Sequence, residues 1–341
     1  TISRPSYSLD RPDMVLLNDN ANLYGANPAV EEVAETFDFS RLWAYPSENS
    51  DRLRARLASE YGVSAEEVIV GNVSDELLDI ISKSFLNPGD VLTCPAPTFA
   101  MYKFYARVNL AEVREKLLRK DFSLDAAPLI AERAKGTAVC QPNNPTANLF
   151  DRAEVNRLLS ETVGGVVVDE AYSDFSGSNV LPDVLGCERG IDIRTFSKAY
   201  GLAGLRAGYA VARKEIVEEL RRVRTPFGLN SFTEAVAMRA VDDRDWVRST
   251  VARMAGDREY LSQRMAGLGF EVRPSVCNFV IAKVPGPGTE FVSSLKERGI
   301  AVRDCSQFQM MNDFIRVTVG PRPLMDRFLS EAERVLRGGA R

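Results

Sequence analysis

Four short segments carry side chains whose types and spacing suit covalent and proton-transfer chemistry. In Thr195-Phe196-Ser197-Lys198-Ala199-Tyr200-Gly201-Leu202-Ala203-Gly204-Leu205-Arg206-Ala207-Gly208 a lysine follows an apolar run, with Arg206 eight positions later. Phe196, Leu202 and Leu205 give that lysine a packed setting, and the glycines imply close backbone approach to something. A desolvated lysine has a lowered pKa and can join a carbonyl carbon as a Schiff base. Thr195, Ser197 and Arg206 together could hold a phosphate. In Val166-Val167-Val168-Asp169-Glu170-Ala171-Tyr172 a carboxylate closes a run that reads as a buried strand. A charge there needs a partner, either a cationic nitrogen on a bound ring or a structural arginine. Tyr172 is within reach of the same ligand. Gly71-Asn72-Val73-Ser74-Asp75-Glu76 reads as an anion site at a helix N-terminus or as a capped helix start. It is not a P-loop, because the G-x-x-x-x-G-K-[ST] spacing is absent. Gln141-Pro142-Asn143-Asn144-Pro145-Thr146 is a turn by composition, in which an Asn amide could donate to a ligand oxygen.

These segments share a context. Short apolar runs at 68–70, 91–94, 113–117, 137–140, 166–168, 191–196 and 209–212 alternate with helical patterns at 75–85, 99–106, 125–134 and 152–161. Ser74 is the expected N-cap of the first helix. Such alternation predicts an α/β fold with a mostly parallel sheet between helices, in which ligands sit outside the carboxyl ends of the strands. From 209 onward the pattern changes to a long amphipathic helix over 231–265, then strands at 270–274, 279–284, 300–303 and 314–319 and helices at 290–298 and 324–336. The expected division is a large α/β domain over 31–240, with 1–30 and 241–341 forming a smaller α+β domain.

Composition closes off other chemistries. The chain has 341 residues and no histidine. That excludes Ser-His-Asp and Cys-His nucleophile systems and His-ligated metals, so proton transfer falls to Lys, Tyr, Cys or a carboxylate. With 43 basic and 47 acidic residues, net charge −4, there is no basic footprint for nucleic acid. No stretch approaches a membrane span, and the polar start, Thr1 to Asp13, has no signal-peptide core. Cys94, Cys140, Cys187, Cys277 and Cys305 form no C-x-x-C pair. They read as reduced core thiols in a cytoplasmic protein, and no metal site is expected.

The Ser-Lys-Ala-Tyr-Gly-Leu-Ala-Gly-Leu-Arg-Ala-Gly run, together with Pro-Asn-Asn-Pro-Thr before Asp-Glu-Ala-Tyr, resembles the fold-type I, pyridoxal-phosphate-dependent class I/II aminotransferases. The histidinol-phosphate aminotransferase branch is the most similar, and the likeness runs from Leu16-Leu17-Asn18 to Val319-Gly320. The resemblance implies that Lys198 is the Schiff-base lysine and that Asp169 pairs with the pyridine nitrogen. It implies that Asn144 and Tyr172 bond the ring's 3-hydroxyl oxygen. Asn72, Val73, Ser74, Thr195, Ser197 and Arg206 would form the phosphate cup, with Tyr102 stacked on the ring. Tyr45 in Trp43-Ala44-Tyr45-Pro46 matches a tyrosine that reaches the partner subunit's cofactor phosphate, which implies a homodimer with shared active sites. Arg316 would grip an acidic group of the substrate, with Arg303, Asn278 and Tyr24 in further substrate contacts.

The function that follows is transfer of an amino group between an amino acid or amino-phosphate, of histidinol-phosphate or aromatic type, and a 2-oxo acid. A decarboxylase, lyase or cyclase would use the same lysine and cofactor. A ligand-sensing regulator would need a DNA-binding domain, for which the chain shows no basic helix-turn-helix. Two departures stand out. The family's usual Asn-Asn-Pro-Thr-Gly ends in Ala147 here. The segment Asn20-Ala21-Asn22-Leu23-Tyr24-Gly25 falls where the family usually carries an acidic residue near the substrate entrance, which counts against histidinol phosphate.

Overall fold

A computed structural model describes residues 14–338. The polar start read at 1–13 and the last three positions of the expected small domain lie outside the described residues. Twelve strands are described: β1 (Val15–Leu17), β2 (Val68–Gly71), β3 (Val91–Ala96), β4 (Glu112–Leu117), β5 (Gly136–Cys140), β6 (Gly165–Asp169), β7 (Gly190–Thr195), β8 (Gly208–Ala212), β9 (Glu271–Val272), β10 (Phe279–Lys283), β11 (Ile300–Asp304) and β12 (Phe314–Thr318).

Seven of them form one sheet in the order β2-β8-β7-β6-β5-β3-β4. β3 pairs in parallel with β4 and β5, and β5, β6 and β7 continue in parallel, whereas β8 runs antiparallel to both β7 and β2. The expected α/β fold is therefore present, with a single reversed strand. β5 through β8 are buried almost end to end, so their apolar runs are continuous rather than alternating. The consequence for function is geometric. The carboxyl ends of β2, β3, β5, β6 and β7 emerge on one side of the sheet, and β8 starts there.

The other five strands form a smaller sheet in the order β1-β11-β12-β10-β9. β1 joins it in parallel with β11, which brings the segment just after Leu17 beside the segments that follow β11 and precede β12. The helix Asp245–Gly267 ties the two halves together. Its Val247 and Met254 pack in the core of the large sheet, while Leu261 and Met265 pack in that of the small one.

Some helix limits differ from the sequence expectation, each for a local reason. The helix expected at 75–85 is Val73–Phe85, and Ser74 does not cap it. The Asn72 N–H is instead taken by the Glu76 carboxylate, which leaves Ser74 free within the first turn. The single helix expected over 231–265 is two, Ser231–Asp242 and Asp245–Gly267. Asp243 accepts from the Asp245 N–H at 3.1 Å, and Arg244 is drawn aside into pairs with Glu60 and Asp174. The helix expected from 99 begins at Met101, so Phe99 precedes it. The charged helices Asp51–Tyr61 and Lys214–Val223 had no counterpart in the expectation.

Candidate active site

A cavity of about 340 Å³ opens at the carboxyl ends of the parallel strands, roofed by residues from the small sheet and from the segment after β1. It gathers Lys198, Asp169, Tyr172, Asn144, Val73, Ser74, Thr195, Ser197, Arg206, Arg303 and Arg316 from the sequence expectation.

Asp169 is the last residue of β6, and its side chain is buried. Its Oδ1 accepts from the Ala171 N–H at 3.0 Å and its Oδ2 from the Tyr102 hydroxyl at 2.8 Å. Burial still pushes its pKa up to about 6, because no cation faces it closely enough to offset the loss of water. A cationic partner supplied by a ligand would reverse that shift.

Lys198 follows β7 by three residues. Its Nζ donates to the Asp19 carbonyl at 3.1 Å and lies 5.8 Å from the centre of the Tyr172 ring. Burial, followed by the neighbouring Arg316 charge, lowers its pKa to about 8. An amine so placed is far more often neutral near pH 7 than a surface lysine, and so is a competent nucleophile and base.

The Tyr172 hydroxyl accepts from Asn20 Nδ2 at 3.0 Å and from Asn144 Nδ2 at 3.4 Å, and burial raises its pKa. Asn144 Oδ1 in turn accepts from Arg316 Nη1 at 2.6 Å, and Arg316 Nη2 donates to the Asn18 carbonyl at 2.7 Å. The Arg316 Nε is buried with no partner among the described residues.

On the other side of the cavity the backbone is bent to present donors. Val73 sits at φ +77, a left-handed conformation that costs a β-branched residue. Gly208 makes that turn possible, since a Cβ there would lie 2.5 Å from the Ser74 nitrogen. Thr195 Oγ1 accepts from the Ser197 N–H at 3.0 Å, while Ser197 Oγ is buried and has no partner among the described residues. Arg206, at φ +56, donates to the Ala203 carbonyl at 3.1 Å and stands 3.7 Å from Asp75. Hydroxyls, a first-turn amide and a guanidinium converge here as an anion cup.

Several expected residues stand elsewhere. Tyr102 does not line the cavity. It is buried behind the wall, in the first turn of its helix, bonded to Asp169. Phe99, three residues earlier and outside that helix, is the aromatic that faces the cavity. Of these two aromatics it is Phe99, not Tyr102, that the cavity exposes to a bound ring. Asn278 is fully buried outside the lining, and its Nδ2 donates to the Asn20 carbonyl at 3.0 Å. Tyr24 also stays out of the lining, with its hydroxyl donating to Asp257 at 2.6 Å and Arg253 over its ring. Asn72 is exposed and its N–H is engaged by Glu76, so of that triplet only Val73 and Ser74 reach the cavity. Tyr45 is 83% exposed, against Phe227, away from this chain's own cavity. Sequence reasoning missed Phe99, Asp19 and Phe308 in the lining. Phe99 opened the helical pattern read at 99–106, whereas Asp19 and Phe308 carried no local signal.

The set suits one kind of ligand: an aromatic ring with a basic nitrogen for Asp169, an oxygen for Asn144 and Tyr172, a carbonyl for Lys198 and a phosphate for the cup. The unpartnered Ser197 Oγ and the uncompensated Asp169 are the atoms that such a group would satisfy. Pyridoxal phosphate has those features.

Comparison with known proteins agrees. The model of the family "Aminotransferase class I and II" matches residues 12–331. The histidinol-phosphate aminotransferase of Moorella thermoacetica is 34% identical over 335 residues, spanning 95% of this chain and 86% of that one. The enzyme of the same name from Thermococcus gammatolerans is 37% identical over 328 residues, spanning 95% and 92%. In fold, the chain is similar to the crystal structure of histidinol-phosphate aminotransferase from Sinorhizobium meliloti in complex with pyridoxal-5'-phosphate. That likeness has a TM-score of 0.88 at 22% identity, over 95% of this chain and 91% of that one.

Proposed function

The chain belongs to the class I and II aminotransferase family, and on that premise we propose that this pyridoxal-phosphate-dependent enzyme moves an amino group from an amino acid, or from an amino-phosphate of the histidinol-phosphate type, to a 2-oxo acid. The observation that carries the reading is the single cavity in which Lys198, Asp169 and Arg316 meet.

When bound, the cofactor supplies an electron-withdrawing ring that stabilises charge developing at the donor's α-carbon. The chain's residues do the rest. Asp169 holds a proton at the ring nitrogen, and Tyr102 and the Ala171 amide hold Asp169 in place. Asn144 and Tyr172 hold the ring's oxygen. Ser74, Thr195, Ser197 and Arg206 grip the phosphate, with the backbone turn at Val73 aiming the amides. Phe99 covers one face of the ring. Lys198 would hold the cofactor by its carbonyl carbon and, as a free amine, would carry the α-proton as general base and then acid, a task for which a pKa of about 8 is well placed. Arg316 binds the substrate's acidic group, held at the right angle by Asn144 and Asn18.

Two further elements belong to this reading. The exposed Trp43 and Tyr45, with Phe227 against Tyr45, form an apolar surface that fits a second copy of the chain. Tyr45 then reaches the partner's phosphate cup, and the active sites are shared. The same reading takes a large domain over 31–240 and a small domain from the two ends, which the presence of two separate sheets supports, and the cytoplasm as its site of action.

The test is an amino-donor screen: purified enzyme with pyridoxal phosphate, one 2-oxo acid acceptor, and donors including histidinol phosphate and aromatic amino acids. Release of the donor's oxo product with amination of the acceptor supports the reading. Carbon dioxide release without amination of the acceptor would overturn it in favour of a decarboxylase.

A further inference from the structure

Once the cofactor contacts are assigned, the mouth of the cavity retains Asp19, Asn20, Ala21, Arg303, Phe308 and Arg316. Of the carboxylates that line the cavity, Asp75 belongs to the cup and Asp169 to the floor, which leaves Asp19 at the mouth.

Asp19 is held with unusual firmness for a residue between a short strand and a loop. Its neighbour Asn20 is left-handed, at φ +59, and is fixed on every side. The Asn20 N–H donates to Thr318 Oγ1 at 3.0 Å, its carbonyl accepts from Asn278 Nδ2 at 3.0 Å, and its Nδ2 donates to the Tyr172 hydroxyl at 3.0 Å. The Asp19 carbonyl is itself tied to Lys198 Nζ. Yet among the described residues nothing donates to the Asp19 carboxylate, and the Lys198 ammonium acts on it only through its charge, its Nζ bonding the Asp19 carbonyl instead. The nearby Arg316 spends two N–H groups on Asn144 and Asn18. A pre-oriented, half-buried carboxylate without a partner is suited to a donor brought by the ligand.

The chemistry of the amino donor says which part of it arrives there. Its α-amino group is engaged at Lys198 and its acidic group at Arg316, so the remaining substituent meets Asp19. We infer that Asp19 is a specificity-determining residue, which selects amino donors whose side chain carries a cationic or N–H-donating group, such as an imidazole, ammonium or guanidinium. The inference rests on the amino-transfer reading above. It also gives a role to Asn278, which does not reach the cavity but locks the Asn20 backbone and so aims Asp19.

The Asp19 charge also favours the charged form of Lys198. Loss of that effect is common to all donors, so the decisive readout is a ratio. For wild-type holoenzyme and Asp19→Asn, kcat/KM is measured with histidinol phosphate, L-histidine and L-arginine, and with L-phenylalanine and L-leucine, against one acceptor. The ratio of N–H-bearing to apolar donors should fall about ten- to a hundredfold in the variant, as expected for a lost hydrogen bond to a charged group. A ratio unchanged within about twofold would overturn the inference, whether or not all rates drop together. Asp19→Ala, read the same way, decides the matter if Asp19→Asn loses cofactor. Turnover of no donor by the wild-type enzyme would overturn the amino-transfer reading itself.

Discussion

The Tyr102 hydroxyl donates to Asp169 Oδ2 at 2.8 Å, behind the wall of the cavity rather than within it. The acid at the floor thus has a donor on each oxygen, Tyr102 on one and the Ala171 amide on the other. Tyr102 therefore bears on the cavity through Asp169, as a positioning residue.

Replacing Tyr102 with Phe removes a donor to the charged form of a fully buried carboxylate, an interaction of about 1.5–3 kcal/mol. The sign follows directly. The Asp169 pKa, already raised to about 6 by burial, rises further, so less of it is ionised near neutral pH. In cofactor-free protein, where no ring nitrogen offsets the burial, the acidic limb of the pH profile for pyridoxal phosphate association should therefore move upward in Tyr102→Phe, with association at pH 7 lower by roughly two- to tenfold. An unmoved limb would show that Tyr102 has no hold on Asp169.

Phe99 and Tyr102 are in edge contact, with ring centres 5.5 Å apart, yet only Phe99 lines the cavity. Removing the ring with Phe99→Ala should weaken pyridoxal phosphate binding by about tenfold, the scale of one aromatic stacking contact with its buried area. Phe99→Tyr should stay near wild type. Titration of cofactor-free protein, followed by fluorescence quenching, reads both. Equal affinities for Phe99→Ala and wild type would remove Phe99 from the ring-facing role.

The difference between these two aromatics marks where sequence reasoning stopped. The chemistry-bearing residues at or just beyond strand ends, Asp169, Lys198 and Asn144, were legible because an apolar run followed by a polar residue fixes both the strand and its ligand-facing end. Which aromatic of Phe99 and Tyr102 faces the ligand depends on where a helix begins, and a two-residue change in that start turns position 102 inward. The helix break at Asp243-Arg244 escaped for a related reason, since apolar spacing continues across it and long-range pairs with Glu60 and Asp174 set it. Asn278 and Tyr24 were placed near the substrate by likeness of position, but their tertiary partners, Asn20 and Asp257, draw them out of the cavity. Asp19 gave no signal at all, because its importance lies in what does not pair with it.

Shared sites make a distinct prediction. Tyr45 is 83% exposed in the single chain, so its role in the proposed dimer is exercised on the partner. Tyr45→Phe and Lys198→Ala should each be impaired alone. Mixed and allowed to exchange subunits, they should recover activity, because one site of each hybrid carries neither change. Hybrids purified by differential tags provide the check, and no recovery in a verified hybrid dimer would contradict sharing through Tyr45.

The central claim is that Lys198 is both the attachment point and the proton carrier for amino transfer. The most direct measurement is single-turnover release of the oxo product from a competent amino donor by wild-type and Lys198→Ala proteins, each saturated with pyridoxal phosphate. The account predicts that the variant loses the visible absorbance of lysine-bound cofactor and falls by at least about 10²–10⁴-fold in rate, the contribution of a positioned acid–base group. Turnover by Lys198→Ala at the wild-type rate would contradict it.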